Sequence, residues 1–539
     1  MNITNKEKYS SFIIEILLLL ISLLFYVFSW LYVQNFLVGL NNVFYNSDTM
    51  YLPSLYKDLF IDGAHYSGWK LTPAPFFFPE MLIYFLLQSF IKDFQISLQL
   101  TQFACISLCS IVIGFIFSKY KKNNSQILPF VYSFISFGVV FVVIRQIFPS
   151  NEFNASVPFM LPGYHIGALL FCFLSFFLSL KALQNNISLI ERRMIYLFLF
   201  IVSFIAFFSD LIYFVQFAFP FFATLIVLFL LKRIEFNQIK FFVIIISSSL
   251  LLSKILARFL IHYRALHDHL SRVDKVQAAK SSFTALLHDS ISSPILTIFI
   301  FFFIGTCFFV FIKNLLLKKK LSLKIETFLI FAILMIICNI AAVILSGMYA
   351  PFSFHSCFRY LLSIVFIPYF ACFLFIFQFS EKNIKILYSI ISIILGIGLY
   401  FPLSNINNLK LINNYQPSLV SCLDKNVAKY QIKNGLAQYW DSKIVTMFSK
   451  KDLFVVASTP HPQNNPVNMF HWINNIDWYK KKFDFIIYDP KAPEGWQFDK
   501  DKLIKSFGEP NQTFQCGQKQ IWIYKGNSKF ESYFANNFK

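Results

Sequence analysis

The sequence predicts a polytopic α-helical membrane protein of about eleven transmembrane helices, followed by a small C-terminal α/β domain outside the bilayer. Of 539 residues, 57% are hydrophobic and 19% are aromatic, but only 14% are charged. A soluble fold cannot bury so large an apolar fraction, so lipid must surround most of the chain. A change in composition near residue 404 is the second observation, and it predicts a transmembrane part (1–403) and a C-terminal domain (404–539).

The predicted membrane spans begin with an apolar run at residues 12–33, which is long enough to cross the bilayer as an uncleaved helix. A long first loop follows (residues 35–80). The next run, residues 76–90, either crosses the membrane or lies in its interface, and its short length and two prolines, Pro75 and Pro79, favour the interface. Later spans are predicted at residues 98–117, 127–148, 164–183, 194–208, 211–231, 239–256, 294–312, 326–345, 360–377 and 384–403.

The net charge of +20 does not indicate a nucleic-acid partner, because Lys and Arg separate the apolar runs and no nucleic-acid-binding motif or phosphate-binding Gly-rich loop is present. Short connections with Lys119, Arg192, Arg233 and Lys382 are assigned to the cytoplasm by the positive-inside rule. This assignment places the N-terminus in the cytoplasm and the C-terminal domain outside. The basic loop at residues 257–293 is an exception, on the outer side.

The C-terminal domain is predicted from short strand-like runs separated by polar and helical stretches. Strands are expected at residues 443–448, 453–457, 483–488 and 520–524, and helical stretches at 463–475 and 500–507. Cys422 and Cys516 lie in this domain, and an oxidising exterior favours a disulfide between them over two unrelated thiols. No CxxC motif or Cys/His spacing suggests zinc.

Ionisable residues outside the cytoplasmic connections gather on the outer side of the predicted membrane. The first loop carries Asp48, Lys57, Asp58, Asp62 and Glu80 beside several aromatic residues. Other members of this set lie at the outer ends of later spans, namely Arg145, Glu152, His165, Asp210, His355 and Arg359. A carboxylate within an apolar stretch is costly unless it faces a polar cavity or the surface. Each residue alone has an ordinary structural explanation, but together they indicate chemistry on the outer side.

In several features together the chain resembles the GT-C glycosyltransferases, polytopic enzymes that transfer a sugar from a polyprenyl-phosphate carrier. An acidic residue, Asp48 in YNSDTMYLPS, follows the first helix in a long outer loop. An amphipathic segment (residues 76–90), a Ser209-Asp210 turn before an aromatic span and an Arg359-Tyr360 pair that opens a late span are also similar. The C-terminal sequence GLAQYWDSKIVTMFS resembles the outer domain of uncharacterised bacterial members.

The resemblance implies that Asp48 is the catalytic base of an inverting transfer, with Asp58, Asp62 and Glu80 as alternatives in the same loop. The departing lipid phosphate requires cations near the outer boundary. Candidate substrate-binding residues are Arg359 first, then His355, with Lys57, Arg264, Glu80 and Asp210 as further members. Because Asp48 is followed by Thr49 and Met50 rather than by a second acidic residue, a metal-independent mechanism is expected, with a divalent metal as the alternative. The acceptor is a glycan, a lipid or a protein.

Two other functional classes remain open for a chain of this composition. A transporter or flippase for lipid-linked glycans also requires many spans and basic groups, although no internal repeat of the kind many transporters show is visible. A non-catalytic membrane assembly protein is the third class. The bias toward Phe, Lys, Asn and Ile is typical of an AT-rich genome. With the resemblance, it predicts a bacterial inner membrane, bound lipids and a periplasmic C-terminal domain.

Overall fold

The structure is a computed structural model that describes residues 5–39, 44–120, 125–147, 160–161, 163–184, 186–261, 272–292, 294–316, 321–347, 358–380, 384–460, 466–492 and 496–537. Helices dominate the first three quarters of the chain. They are α1 (Asn5–Gly39), α2 (Tyr51–Tyr56), α3 (Leu82–Ile91), α4 (Phe94–Ser118), α5 (Leu128–Ile147), α6 (Ile166–Ala182), α7 (Leu189–Ser209), α8 (Phe219–Leu230), α9 (Phe236–Leu260), α10 (Arg272–Ser292), α11 (Pro294–Leu316), α12 (Leu323–Ser346), α13 (Leu362–Ser380) and α14 (Ile384–Leu403).

Several of these helices have the length and apolar composition that membrane crossing requires. Five helical segments of the described chain qualify by both criteria: Phe12–Val38, Phe94–Ser118, Phe236–Leu260, Leu323–Ser346 and Ile386–Leu403. Shorter apolar helices include Phe77–Ile91, Leu128–Val143, Ile166–Ala182, Phe214–Leu230, Ile300–Val310 and Arg359–Phe373. The protein is therefore a helical membrane protein, and the crossing number of about eleven stays a prediction.

The segment predicted as a long outer loop, residues 257–293, contains the helix α10. The sequence of this helix is too polar for an apolar span, which is why hydrophobicity alone predicts a loop here. The helix packs against α12, and the contact is close at Gly347, where a Cβ atom would lie 2.7 Å from the Cβ of Ala278. Gly347 also has a positive φ of 66°, which glycine adopts without strain.

The helix bundle has two chemically different ends. At one end, which we call the basic end, Lys324 donates to the backbone carbonyl of Lys119 at 3.3 Å, and Arg233 pairs with Glu326. The opposite end, the loop end, holds the first loop and the start of α6. Because Arg145 at the end of α5 stacks on Phe36 of α1 at 4.3 Å, these two helices run in the same direction toward the loop end.

The described residues between 418 and 537 form a six-stranded mixed sheet with flanking helices. The sheet order is β4-β3-β2-β6-β8-β7, and the β3-β2-β6 core is parallel. The elements are α15 (Ser418–Tyr430), β2 (Asn434–Ala437), α16 (Tyr439–Phe448), β3 (Phe454–Thr459), β4 (Asn468–Met469), β5 (Asn474–Asn475), β6 (Phe485–Tyr488), α17 (Lys500–Phe507), β7 (Gln512–Cys516), β8 (Lys519–Ile523) and α18 (Ser528–Asn537). A disulfide joins Cys422 in α15 to Cys516 in β7.

Two of the local predictions in this region are wrong. The predicted strand at 443–448 is the second half of the helix α16, and the described part of the predicted helix at 463–475 holds the short strands β4 and β5 instead. The β-branched residues Ile444, Val445 and Thr446 suggested a strand. In the structure the side chain of Gln438 accepts from the Trp440 amide at 3.0 Å and caps the helix, although Gln is not among the residues preferred at this position.

The C-terminal sheet region is tied to the first loop. Trp69 and Lys70 of the first loop form β1 (Trp69–Lys70), which pairs antiparallel with β5. The approach is so close at Gly68 that a Cβ atom there would lie 2.2 Å from Asn475 Oδ1. Phe448 of α16 packs edge-on against Tyr45, with 5.1 Å between ring centroids. The first loop is therefore held between the helix bundle and the sheet.

Candidate functional site

Asp48 is held by a local turn at the start of the first loop. The side-chain oxygen of Asn46 accepts hydrogen bonds from the backbone amides of Asp48 and Thr49 at 2.9 and 3.0 Å. Such side-chain turns are typical of Asn before a reversal of the chain. The Thr49 hydroxyl donates to the carbonyl of Phe44 at 2.8 Å. These bonds fix the backbone from which the Asp48 side chain projects.

The Asp48 carboxylate joins three parts of the chain that are distant in sequence. Arg359 Nη1 lies 3.1 Å from Asp48 Oδ2, and the Tyr439 hydroxyl donates to Oδ1 at 2.5 Å. The Asp48 and Arg359 side chains are 13% and 18% exposed. Arg359 precedes α13, and Tyr439 opens α16, so the site combines the first loop, the helix bundle and the sheet region.

Aromatic rings hold the Arg359 guanidinium in place. Its Cζ lies 5.0 Å from the ring centroid of Tyr164 and 5.2 Å from that of Tyr360, and its Nη2 donates to the Tyr360 hydroxyl at 3.2 Å. The hydroxyl of Tyr164 in turn accepts from the Asn46 amide at 3.1 Å. A guanidinium held between rings keeps its charge and its planar geometry for bidentate binding of an oxyanion.

Lys443 is the unexpected member of this site. It lies one helical turn after Tyr439, so both side chains are on the same face of α16, and its ammonium is 5.1 Å from the Tyr439 ring centroid. The residue is 2% exposed, and its Nζ has no hydrogen-bond partner among the described residues. Burial lowers the pKa of Lys443 to about 7, against the opposing effect of the Asp48 charge.

The Tyr439 hydroxyl is protonated at neutral pH. Burial, followed by the neighbouring Asp48 charge, raises the pKa of Tyr439 well above its usual value. A protonated phenol beside a carboxylate is a hydrogen-bond donor, which agrees with the contact to Asp48 Oδ1. Tyr439 therefore stabilises the charged form of the carboxylate without competing for its proton.

Asp210, the acidic residue within an apolar stretch, is paired with His165. His165 Nδ1 lies 2.5 Å from Asp210 Oδ2, and both residues are buried. The imidazole ring is 5.1 Å from the Tyr360 ring. Asp210, a candidate substrate-binding residue in the sequence analysis, therefore holds His165 behind the Arg359–Tyr360 pair.

Glu80 caps the start of α6. Its Oε1 accepts from the Gly167 amide at 2.8 Å, which is favourable at a helix N-terminus, and its Oε2 has no partner in the described part of the chain. A Cβ atom at Gly167 would lie 2.5 Å from Oε2, so glycine is required there. The Ser209 hydroxyl accepts from the Phe78 amide at 3.0 Å and anchors the chain before Glu80. Glu80 is therefore bonded to α6 rather than to Asp48.

Asp58 and Asp62 have structural partners. The Asp58 carboxylate accepts from the indole N–H of Trp69 at 2.7 Å, from the Asn475 amide at 2.7 Å and from the indole N–H of Trp478 at 2.8 Å. Both oxygens are occupied, so Asp58 fastens the first loop to the sheet region. Asp62 pairs with Lys57 at 2.6 Å, and each side chain is 35% exposed. Lys57 is therefore held by Asp62.

Two predicted phosphate ligands, His355 and Arg264, lie outside the described residues. Within the residues that the structure describes, no three His, Cys, Asp or Glu side chains come close enough together to hold a metal ion. The sequence reading found Asp48 and Arg359, which the structure brings into contact. It missed Tyr439 and Lys443, because Lys443 was assigned to the start of a strand and Tyr439 to no element, so nothing placed the two side chains on one helix face.

Comparison with known proteins adds no family to this description. No protein-family model matches the chain, and no curated protein has a matching sequence. The functional assignment therefore depends on the site itself.

Proposed function

We propose that this protein is a membrane glycosyltransferase of the GT-C type, which transfers a sugar from a polyprenyl-phosphate donor to an acceptor. The observation that carries the proposal is the contact between Asp48 and Arg359 at the loop end of the bundle. Inverting transfer requires a carboxylate to accept the acceptor's proton and a cation to hold the leaving phosphate. The two groups lie side by side where apolar helices end.

The proposed reaction makes different demands on the two residues. The acceptor hydroxyl attacks the sugar carbon bound to the donor phosphate, Asp48 takes the hydroxyl proton, and the prenyl phosphate leaves with the electron pair of the broken bond. Without a donor, Arg359 is neutralised by Asp48. A bound phosphate competes for the guanidinium, because charge-assisted bidentate contacts to phosphate are strong, and so releases Asp48 to act as the base.

The proposed topology places this site on the periplasmic side of a bacterial inner membrane. The basic end of the bundle, with Lys119, Arg233 and Lys324, faces the cytoplasm by the positive-inside rule. The loop end then faces outward, together with a periplasmic α/β domain at residues 404–539. About eleven crossings within residues 1–403 and a cytoplasmic N-terminus complete this arrangement, and the Cys422–Cys516 disulfide suits an oxidising compartment.

The mechanism is proposed to need no divalent metal, because the first loop lacks an Asp-x-Asp motif and Arg359 supplies the positive charge. The expected partners are a prenyl-phosphate sugar, membrane lipids and a glycan, lipid or protein acceptor.

The test is a transfer assay with the purified protein in lipid nanodiscs and a panel of radiolabelled prenyl-phosphate sugars, run with and without EDTA. The proposal predicts release of prenyl phosphate and a labelled acceptor product. A protein that moves prenyl-linked sugars across liposomes without cleaving them would instead be a flippase. A protein that neither cleaves nor moves any member of the panel would contradict the enzymatic assignment.

A further inference from the structure

We propose that Lys443 binds the phosphate group of a prenyl monophosphate, so that α16 of the sheet region supplies part of a lipid-phosphate site. This inference depends on the proposed function, because it names a further ligand of the same site. It goes beyond the pairing of Asp48 with Arg359, since Lys443 belongs to a different part of the chain and contacts neither of them directly in the described hydrogen bonds.

The first argument is the cost of burying an amine without a partner. Lys443 is 2% exposed, and its Nζ has no hydrogen-bond partner among the described residues. Burying an unpaired ammonium costs several kcal/mol. A purely structural position would be filled at lower cost by an apolar side chain of similar length. Because none of the described residues supplies a hydrogen-bond partner, we infer that a bound anion does.

The second argument is the position of the amine. Lys443 and Tyr439 share one face of α16, and the Tyr439 hydroxyl contacts Asp48. The charge of Asp48 acts on Lys443, so the amine and the carboxylate belong to one electrostatic neighbourhood. Arg359 lies on the other oxygen of Asp48. Two basic groups thus approach a single carboxylate from different elements.

The third argument is the balance of charge during the proposed transfer. A prenyl-phosphate sugar is a phosphodiester with one negative charge, and the prenyl monophosphate that leaves carries up to two. When prenyl phosphate leaves, Asp48 has taken the acceptor's proton and is neutral, so Arg359 with its single positive charge faces a product with up to two negative charges. An anion near Lys443 favours the protonated amine, which then offsets the charge that develops on the leaving phosphate.

The identity of the anion follows from its surroundings. The site lies where apolar helices end, and we infer that the anion is a phosphate with a prenyl chain, because such a chain is compatible with an apolar surface next to the site. An inorganic phosphate offers the same head group without the chain. A prenyl phosphate and inorganic phosphate present the same oxyanion to Lys443, and their binding affinities distinguish the two ligands.

The experiment measures binding of farnesyl phosphate to the full-length protein in nanodiscs by isothermal titration calorimetry, with inorganic phosphate and farnesol as comparison ligands. Lys443→Met is expected to weaken farnesyl phosphate binding at least ~10-fold, the scale of one charged hydrogen bond, and to leave farnesol binding unchanged. Lys443→Arg should retain most of the affinity. Lys450→Met, at an exposed lysine, is the matched control and should bind as wild type does.

Equal affinity of Lys443→Met and wild type for farnesyl phosphate would overturn the inference. Equal affinity of the wild type for inorganic phosphate and farnesyl phosphate would overturn the assignment to a lipid-linked anion. Lys443→Met should not unfold, because it removes a buried amine, and thermal unfolding of each variant checks this. If binding depends on Lys443 but no donor sugar is transferred, the inference stands and the proposed function fails.

Discussion

Asp48 and Asp58 lie ten residues apart in the first loop, and both connect it to the C-terminal sheet region, but their surroundings differ. Asp58 is 4% exposed and accepts from three uncharged N–H groups, which occupy both of its oxygens. Asp48 is more exposed and contacts a cation and a phenol. The Lys443 amine beyond it has no hydrogen-bond partner in the described part of the chain. The hydrogen bonds of Asp58 indicate a structural role. The cation that pairs with Asp48 can exchange to a bound phosphate, so Asp48 is proposed to act as a base.

Among the substitutions that test this contrast, replacement of Arg359 should have the largest effect. Arg359→Gln removes the charge that is proposed to grip the leaving phosphate. We expect kcat/KM for the donor to fall by about 30- to 150-fold, or about 2–3 kcal/mol, in a steady-state transfer assay. Arg233→Gln, which removes a partly buried arginine at the basic end, is the control and should leave the transfer rate of the folded protein unchanged.

Asp58→Asn tests the structural half of the comparison. The amide keeps one acceptor and turns an NH₂ group toward N–H donors, so we expect a loss of about 3 kcal/mol in the free energy of unfolding. Thermal unfolding and limited proteolysis of the first loop measure this. Asp62, the exposed partner of Lys57, gives the control, since Asp62→Asn should lower the free energy of unfolding by at most about 1 kcal/mol. A stable Asp58→Asn protein without transfer activity would reverse the two assignments.

A paired test removes one hydrogen-bond donor from each of the two carboxylates, and its expected effects are smaller. Trp478→Phe takes one N–H from Asp58 and should lower stability by about 1–3 kcal/mol, with transfer by the folded fraction unchanged. Tyr439→Phe takes the hydroxyl from Asp48 and should lower transfer about 10-fold, because the hydrogen bond holds the carboxylate in position for the acceptor. Both are measured by thermal unfolding and by transfer rate. Identical profiles for the two variants would contradict the distinction.

The amine beyond Asp48 predicts a pH dependence of stability. Because burial depresses the pKa of Lys443 to about 7 in the folded protein, the unfolded chain binds more protons above that pH. Raising the pH from about 7 to about 10 therefore favours the folded state, by about 1 kcal/mol per pH unit from this group. The measurement is the difference in unfolding free energy between wild type and Lys443→Met. If this difference in unfolding free energy did not change with pH, the depressed pKa of the buried Lys443 amine would be contradicted.

The helical membrane class and the location of Asp48 and Arg359 at the same end of the bundle were accessible to sequence reasoning, for definite physical reasons. Apolar runs of about twenty residues have few alternatives to a membrane helix, and residues at the ends of such runs can meet only at one of two surfaces. Tyr439 and Lys443 could not be found in this way, because α16 contains a β-branched run that resembles a strand. The bonds of Asp58 depend on Asn475 and Trp478, more than 400 positions away, and no local pattern encodes them.

The most direct test of the account is a single-turnover measurement of transfer from a prenyl-phosphate sugar by wild type and Asp48→Asn, with both proteins shown to be equally folded. The substitution keeps the shape of the side chain and removes its ability to accept a proton. The account predicts that the rate of the chemical step falls by about 10²- to 10⁴-fold, while donor binding persists. Transfer by Asp48→Asn at the wild-type rate would contradict it.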